Sequence, residues 1–351
     1  MGQLPQQLVN GLWQGSALAL FAVGYALVFG SLDIINLAHG ATYMWGAFIA
    51  FVVVAKLGWP IWIAIPIAMA GAGLLAVLLD LLAFKPLRAL TRGSLVLWGG
   101  FLILLVGLVS PLDLSLKIIV AGAGGIIMAG GIVQDYRSVS PLRQQQVPPL
   151  APMISSIGAS IVLVSLAQGT FSSQVSRFPI DTFPIMPYEL PGGVVIAPIQ
   201  LLVLALSLGL IVGLQLLIGR TSMGRAIRSI AWSARTSRLL GIDVDLVVGQ
   251  TFFLSGALAG AAGALLGLAF NRLDPLMGGD IELAGLTVIV VGGMGSVSGA
   301  ALAALLVGML RVMSVAYLDS SARDALVFIL LIVVLLVRPS GLFGQGRAVR
   351  A

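Results

Sequence analysis

The chain has 351 residues, 59% of them hydrophobic and only 9% charged, with a mean hydropathy of +1.10; no water-soluble domain of this length could place them, so the composition is that of a polytopic membrane protein. With no cysteine, a disulfide, a thiol nucleophile and an iron–sulfur cluster are excluded, and one histidine among 13 scattered acids leaves no metal-binding constellation and implies no cofactor. The formal charge of +6 does not point to nucleic acid, because the basic residues lie in short loops beside apolar runs, where the positive-inside rule places them.

In chain order, "MGQLPQQLVNG" lacks the positive start and cleavage site of a signal peptide, and its sixth-position glutamine argues against myristoylation. Apolar runs near the roughly 20 residues a bilayer demands fall at about 12–30, 40–55, 60–83, 94–112, 114–133, 151–171, 194–218, 247–270, 283–316 and 322–337. The predicted fold is all-α: one polytopic transmembrane helical bundle over residues 1–351, with discontinuous or re-entrant elements. Run 40–55 is short, and run 283–316 is too long for one crossing and is interrupted by "VGGMGSVSGA".

Loop charge sets the orientation. Segment 220–241 carries arginines at 220, 225, 228, 235 and 238 and no acid, which makes it cytoplasmic. "KPLRALTR" (85–92), "YRSVSPLR" (136–143) and the basic C-terminus from Arg338 belong on the same side. The loops with Asp181 and Glu189, and with Asp274, Asp280 and Glu282, go outside. Run 283–316 must then begin and end outside, as a half-helix, a glycine turn and a returning helix would; counting back puts the N-terminus outside as well.

Two places depart from featureless apolar helix. In "FGSLDIINLAHGATY", Asp33, Asn36, His39 and Gly40 follow a span; in "VVGGMGSVSGA", Gly292, Gly293, Gly295 and Ser296 interrupt one. Irregular backbone at membrane depth needs protein or a watery cavity around it. Paired interruptions in two parts of a chain are the sequence pointer to a translocation pathway; the alternative is tight glycine-mediated packing. His39 stands six residues from Asp33, which would put the two on different helical faces. It therefore reads as part of a hydrogen-bonded bend, not a proton relay.

Segment 219–245 reads as a short amphipathic helix pair. Ala226, Ile227, Ile230, Ala231 and Ala234 form a stripe with Arg225, Arg228, Arg235 and Arg238 around it, ended by Gly241. Such an element either lies on acidic lipid or docks into a groove of a soluble partner. There is no phosphate-binding G-x-x-x-x-G-K-[ST] loop, so ATP could be hydrolysed only by another chain.

The stretches "SLDIINLAHGATYMWGAF", "PLAPMISSIGASIVL", "TSMGRAIRSIAWSARTSRLLGID", "GALAGAAGALLG", "VVGGMGSVSGALAALLVG" and "RPSGLFG", in this order, resemble the permeases of branched-chain amino acid ABC importers, in particular the histidine-containing member of the permease pair. The resemblance covers all but about residues 93–137. It implies a bacterial inner-membrane subunit that pairs with a homologous second permease, binds two ATP-binding subunits and receives a small-molecule solute from a periplasmic binding protein. Asn36, His39 and Gly40 match the family's N-x-A-H-G signature, and Gly224, Arg225, Arg228, Ala231, Leu240 and Gly241 match its coupling-loop positions. Three departures stand out. Ala41 replaces an acid; Ser233 replaces Asp or Asn, and Ser237 replaces Ala, in the coupling loop; and two extra apolar runs are inserted at about 93–137, between "FKPLR" and "VSPLR".

The expected function is thus a non-enzymatic permease subunit forming half of the translocation pathway of an ATP-driven importer for branched-chain or other neutral amino acids. The alternative within the family is urea or a short amide. Outside it, an ion-coupled transporter would need Asp33, Asp80 or Asp113 as an intramembrane acid, and an intramembrane enzyme would need a partner for His39.

Overall fold

The computed structural model describes residues 4–109, 114–137, 143–144, 150–179, 182–183, 186–190 and 193–344. They pack as two compact units. One is built from residues up to Val77 and from Ser160 onward, the other from Leu78–Ala159.

In the first unit, α1 (Leu4–Leu32) has 29 residues, roughly 43 Å of helix at 1.5 Å per residue and more than a hydrocarbon core requires. α2 (His39–Phe51) runs into a π-helical turn, Val52–Lys56, and α3 (Ile61–Leu79) follows. α7 (Leu150–Phe171), which belongs to this unit from Ser160 onward, precedes the hairpin of β3 (Tyr188–Leu190) and β4 (Val194–Ile196), which pairs Glu189 with Val195. α8 (Pro198–Arg220), the short α9 (Ser222–Trp232) and α10 (Ala234–Leu239), and α11 (Val244–Phe270) come next. α12 (Met277–Gly292), α13 (Val297–Tyr317) and α14 (Ala322–Val337) complete the unit.

Six helices among the described residues are long and apolar enough to cross a membrane. Their burial sorts them. The most apolar windows of α1 and α11 are each 83% buried, whereas those of α7 and α8 are 17% and 22% buried. The first pair is therefore the core, and the second leaves its apolar side chains on the surface of the chain. Since lipid gives no hydrophobic drive for helix association, close backbone approach must supply it. Accordingly, a Cβ on Gly46 of α2 would strike Gly260 of α11.

Contacts along the core give each helix a direction. Trp13 of α1 lies against Phe270 at the end of α11, with ring centroids 5.6 Å apart, and a Cβ on Gly24 would lie 2.9 Å from the Ser255 carbonyl oxygen. α1 and α11 are therefore antiparallel. The end of α1 lies on the side of α9 and α10, while its start joins the β-hairpin: Val195 N–H donates to Gln6 Oε1 (2.8 Å), and Gln6 Nε2 donates to Val195 O (3.0 Å). The N-terminus and the arginine-rich α9–α10 end therefore lie at opposite ends of the bundle, and with the latter inside the former is the outer end. α12 runs inward and α13 outward, which realises the predicted half-helix, turn and returning helix.

In the second unit, β1 (Ala89–Leu90) and β2 (Arg143–Gln144) pair near the base of an antiparallel hairpin of α5 (Arg92–Val109) and α6 (Leu114–Arg137). The basic segment ahead of it, ending in α4 (Lys85–Arg88), carries its own counter-charges. Lys85 Nζ lies 2.5 Å from Asp135 Oδ2, and Arg88 Nη2 lies 2.5 Å from Asp80 Oδ1. Asp80 is thus tied to an arginine. Asp113, Asp181 and most of "VSPLR" lie outside the described residues.

Candidate functional site: two helix breaks and a basic cytoplasmic loop

At the first break α1 ends at Leu32, and Asp33 takes a left-handed conformation with φ +56°, a region most side chains avoid but Asp tolerates. Residues 33–36 are non-helical, so the helical-face argument separating Asp33 from His39 does not apply; Asp33 is exposed at the end of α1. The chain then folds back along α1. Asn36 makes the turn, its Oδ1 accepting from Ala38 N–H at 3.0 Å, as asparagine side chains do in such turns. α2 therefore begins inside the bundle, beside Phe21 and Tyr25, roughly 16 Å above the end of α1 by helix rise.

His39 is 1% exposed. Its Nε2 lies 3.2 Å from the Phe21 carbonyl; because a carbonyl can only accept, Nε2 carries a hydrogen. Nδ1 stands 3.5 Å from Ser255 Oγ, and the ring packs against Phe21 and Tyr25 at centroid distances of 4.6 and 5.2 Å. His39 thereby ties α2 to α1 and α11, in agreement with a hydrogen-bonded bend.

The next residue brings in a group that reading the sequence missed. Gly40 N–H donates to Glu282 Oε2 at 3.2 Å. Glu282 does not belong to an outer acidic loop, as its neighbours Asp274 and Asp280 suggested: it is one turn into α12 and 8% exposed. A carboxyl at a helix N-terminus complements the helix dipole and takes one of its orphan N–H groups. Ala41 brings no acid of its own, and Glu282 supplies one to the start of α2 from another helix. Its Oε1 is buried without a hydrogen-bond partner among the described residues. The available signal was Gly278, Glu282 and Gly285 at helical spacing on one face of α12.

At the second break α12 ends at Gly292, and the turn uses Gly293 (φ +96°) and Gly295 (φ +89°), conformations that a Cβ disfavours. Ser296 caps α13, its Oγ accepting from Gly299 N–H at 3.0 Å. The "RPSGLFG" segment straps this turn: Leu342 N–H donates to Val291 O (2.8 Å) and Phe343 N–H to Gly292 O (3.3 Å). The two breaks meet near the inner end of the bundle, where a Cβ on Gly30 would come within 2.9 Å of Gly295 Cα. The candidate path residues thus divide by depth. Gly292, Gly293, Gly295 and Ser296 gather with the end of α1, while His39 and Gly40 sit deeper in the core.

In the coupling segment, α9 packs on α1, α8 and α11 through buried Gly224, Ile227 and Ile230. The predicted stripe stops there, because Ser233 ends α9 and leaves Ala234 exposed on α10. Ser233 caps α10, its Oγ accepting from Thr236 N–H at 3.2 Å; Ser, Asp and Asn all serve as caps, so this departure from the family keeps the local structure. Ser237 is buried, and its hydroxyl is satisfied by Ser233 O at 2.9 Å. Gly241 (φ +82°) ends α10 in a Schellman turn, with Ile242 N–H on Ser237 O and Gly241 N–H on Arg238 O. Arg225 and Arg228 face solvent, and Trp232, Leu239 and Leu240 are 76%, 82% and 73% exposed.

Comparison with known proteins identifies the family. The family model for the branched-chain amino acid transport system / permease component matches residues 7–110 and 89–335, which between them include the inserted hairpin. The chain is 32% identical over 345 residues to the high-affinity branched-chain amino acid transport system permease protein BraD of Pseudomonas aeruginosa, covering 97% of this chain and 95% of that one. It is 28% identical over 344 residues to the corresponding permease protein LivH of Escherichia coli, with the same coverage. The autoinducer 2 import system permease protein LsrD of Salmonella paratyphi B is 29% identical over 240 residues, 66% of this chain and 68% of that one. These relatives are transport permeases, not enzymes. The chain is a multi-pass protein of the bacterial inner membrane and belongs to the family of branched-chain amino acid transport system permease components.

Proposed function

We propose that this permease is one of two homologous subunits forming the pathway of an ATP-driven importer for branched-chain or other neutral amino acids. On this reading two ATP-binding subunits dock on α9–α10 and a periplasmic binding protein delivers the solute. The observation that carries it is the coupling segment. α9 is fastened to the three helices α1, α8 and α11, while Arg225, Arg228, Trp232 and Leu240 are left toward solvent. A push on that surface reaches the end of α1 and the start of α11 directly, and basic groups beside exposed apolar ones are what a docking helix presents. The branched-chain amino acids named for BraD and LivH supply the substrate class.

The two breaks, with Asp33, Asn36, His39 and Gly40 in one and Gly292, Gly293, Gly295 and Ser296 in the other, border the solute path at its inner half. Their convergence at Gly30 and Gly295 supports this. In proteoliposomes holding the assembled importer, Arg225→Glu with Arg228→Glu should abolish ATP-dependent leucine uptake while membrane insertion stays intact. Undiminished uptake would remove the docking role. Wild-type uptake of urea or acetamide with none of leucine would replace the substrate class.

A further inference from the structure

A cavity of about 440 Å³ opens at the outer end of the first unit, between the start of α1 and the ends of α11 and α13, within the roughly 300–1,000 Å³ typical of small-molecule sites. None of the break residues lines it. Its α1 wall is a polar stripe, Gln7, Asn10 and Gln14, and its α12 and α13 walls bring Asp280 and Arg311 to the same space, with Arg323 beside them. Leu18, Leu266, Val312 and Val315 supply an apolar floor.

Arg311 is the unusual member. It lies within a membrane-spanning helix with its side chain only 15% exposed, and a charge held there is costly unless it is used. Its Nη2 lies 3.5 Å from Asp324 Oδ1, and Arg323 reaches the same carboxylate with Nε at 3.3 Å and Nη2 at 3.4 Å. Two guanidiniums that line the cavity therefore already share one carboxylate beside it, and a guanidinium is a planar fork suited to that group. Asp324 is 60% exposed, so it can yield its place to an incoming carboxylate.

We propose that this outer cavity binds the head group of a zwitterionic α-amino acid, its carboxylate on Arg311 and Arg323 in place of Asp324, its ammonium on Asp280, and its aliphatic side chain on the leucines and valines. The inference deepens the importer reading, on which its choice of substrate rests. Two arginines facing two aspartates make a neutral, strongly dipolar site. Such a site matches a molecule that is itself neutral but charge-separated, and it gives urea or a simple amide no comparable partner.

The test is calorimetric titration of the full-length chain in lipid nanodiscs with leucine, with leucinamide, which lacks the carboxylate, and with 4-methylpentanoate, which lacks the ammonium. Leucine should bind at least about tenfold more tightly than either analogue. Asp280→Asn and Arg311→Gln should each weaken leucine by about tenfold, and Asp324→Asn should tighten it. Equal binding of all three compounds, unchanged leucine affinity in Asp280→Asn, or no leucine binding to the wild type would overturn the site. Should Arg311→Gln fail to fold, the wild-type comparison of analogues and Asp280→Asn, which alters an exposed side chain, decide alone. Leucine uptake by the assembled importer is scored separately: binding without uptake sinks the importer reading and leaves the site standing, and uptake without binding does the reverse.

Discussion

At residues 33–38 the chain leaves a helix through a left-handed Asp33, turns on the Asn36 side chain and re-enters helix with Gly40 held by a carboxyl from α12; at 293–296 two left-handed glycines make the turn and Ser296 caps the next helix from within it. The first break depends on a group 242 residues away in sequence. The second is turned by its own glycines and capped by its own serine; it lies against Gly30 of α1 and is strapped by the C-terminal segment. Pulling α12 away from α2 would bare both the Gly40 N–H and the Glu282 carboxyl in a water-poor interior, at about 1–3 kcal/mol for each neutral group and more for a charged one. Pulling at the second break would cost chiefly the two strap hydrogen bonds. The deep break is therefore the rigid joint, and the inner turn is where α12 and α13 can flex.

The harshest way to break that comparison is to fill the rigid joint. A Cβ on Gly40 would run into the Gly278 carbonyl oxygen, which is backbone and has no rotamer to escape into, and would lie 2.6 Å from Glu282 Oε2. Gly40→Ala should cost at least about 1–3 kcal/mol through overpacking and should sharply reduce the yield of monodisperse protein from detergent. Gly279→Ala, next to Gly278 but with nothing within 4 Å of its Cβ position, should behave as wild type. Equal yields and melting temperatures for the two variants would show that the α2–α12 contact is loose.

A gentler probe alters only the hydrogen bond. Glu282→Leu leaves the Gly40 N–H buried without an acceptor and should destabilise the chain by about 1–3 kcal/mol; Glu282→Gln keeps a carbonyl oxygen there and should lose less than about half of that. Thermal unfolding of the purified variants reads the difference. A leucine variant as stable as the glutamine one would mean that the carboxyl does not hold α2.

Both breaks were legible in the sequence, because polar and glycine residues cluster there between two apolar runs, where irregular backbone needs protein or water around it. So was the inner turn's geometry, since "GGMGS" places glycines ahead of a capping serine. Glu282 was not. Its role depends on a partner in α2 far away in sequence, and local charge grouped it with Asp274 and Asp280 as loop. Arg311 escaped for a different reason: a lone cation inside the apolar run 283–316 carries no orientation signal, and its carboxylate neighbour Asp324 lies on the next helix. The helix pair at 222–239 was visible in outline, but its division at Ser233 was not, because a stripe of small apolar residues continues in sequence across a cap that reverses its exposure.

The smallest expected effect on transport comes from His39, one of several ties at the rigid joint. In His39→Gln the side-chain amide can still donate to the Phe21 carbonyl, so the hydrogen bond at 3.2 Å has a replacement. What disappears is the ring packing on Phe21 and Tyr25, worth about 0.5–1.5 kcal/mol per aromatic pair. Glu282 continues to hold Gly40, so α2 keeps its start. The variant should melt a few degrees lower and transport leucine at a large fraction of the wild-type rate, with an unchanged dependence on pH between 6 and 8, the range where a relaying histidine would titrate. Loss of transport that grows with pH in this variant alone, at an unaltered melting temperature, would make His39 a proton carrier and turn the rigid joint into a chemical one.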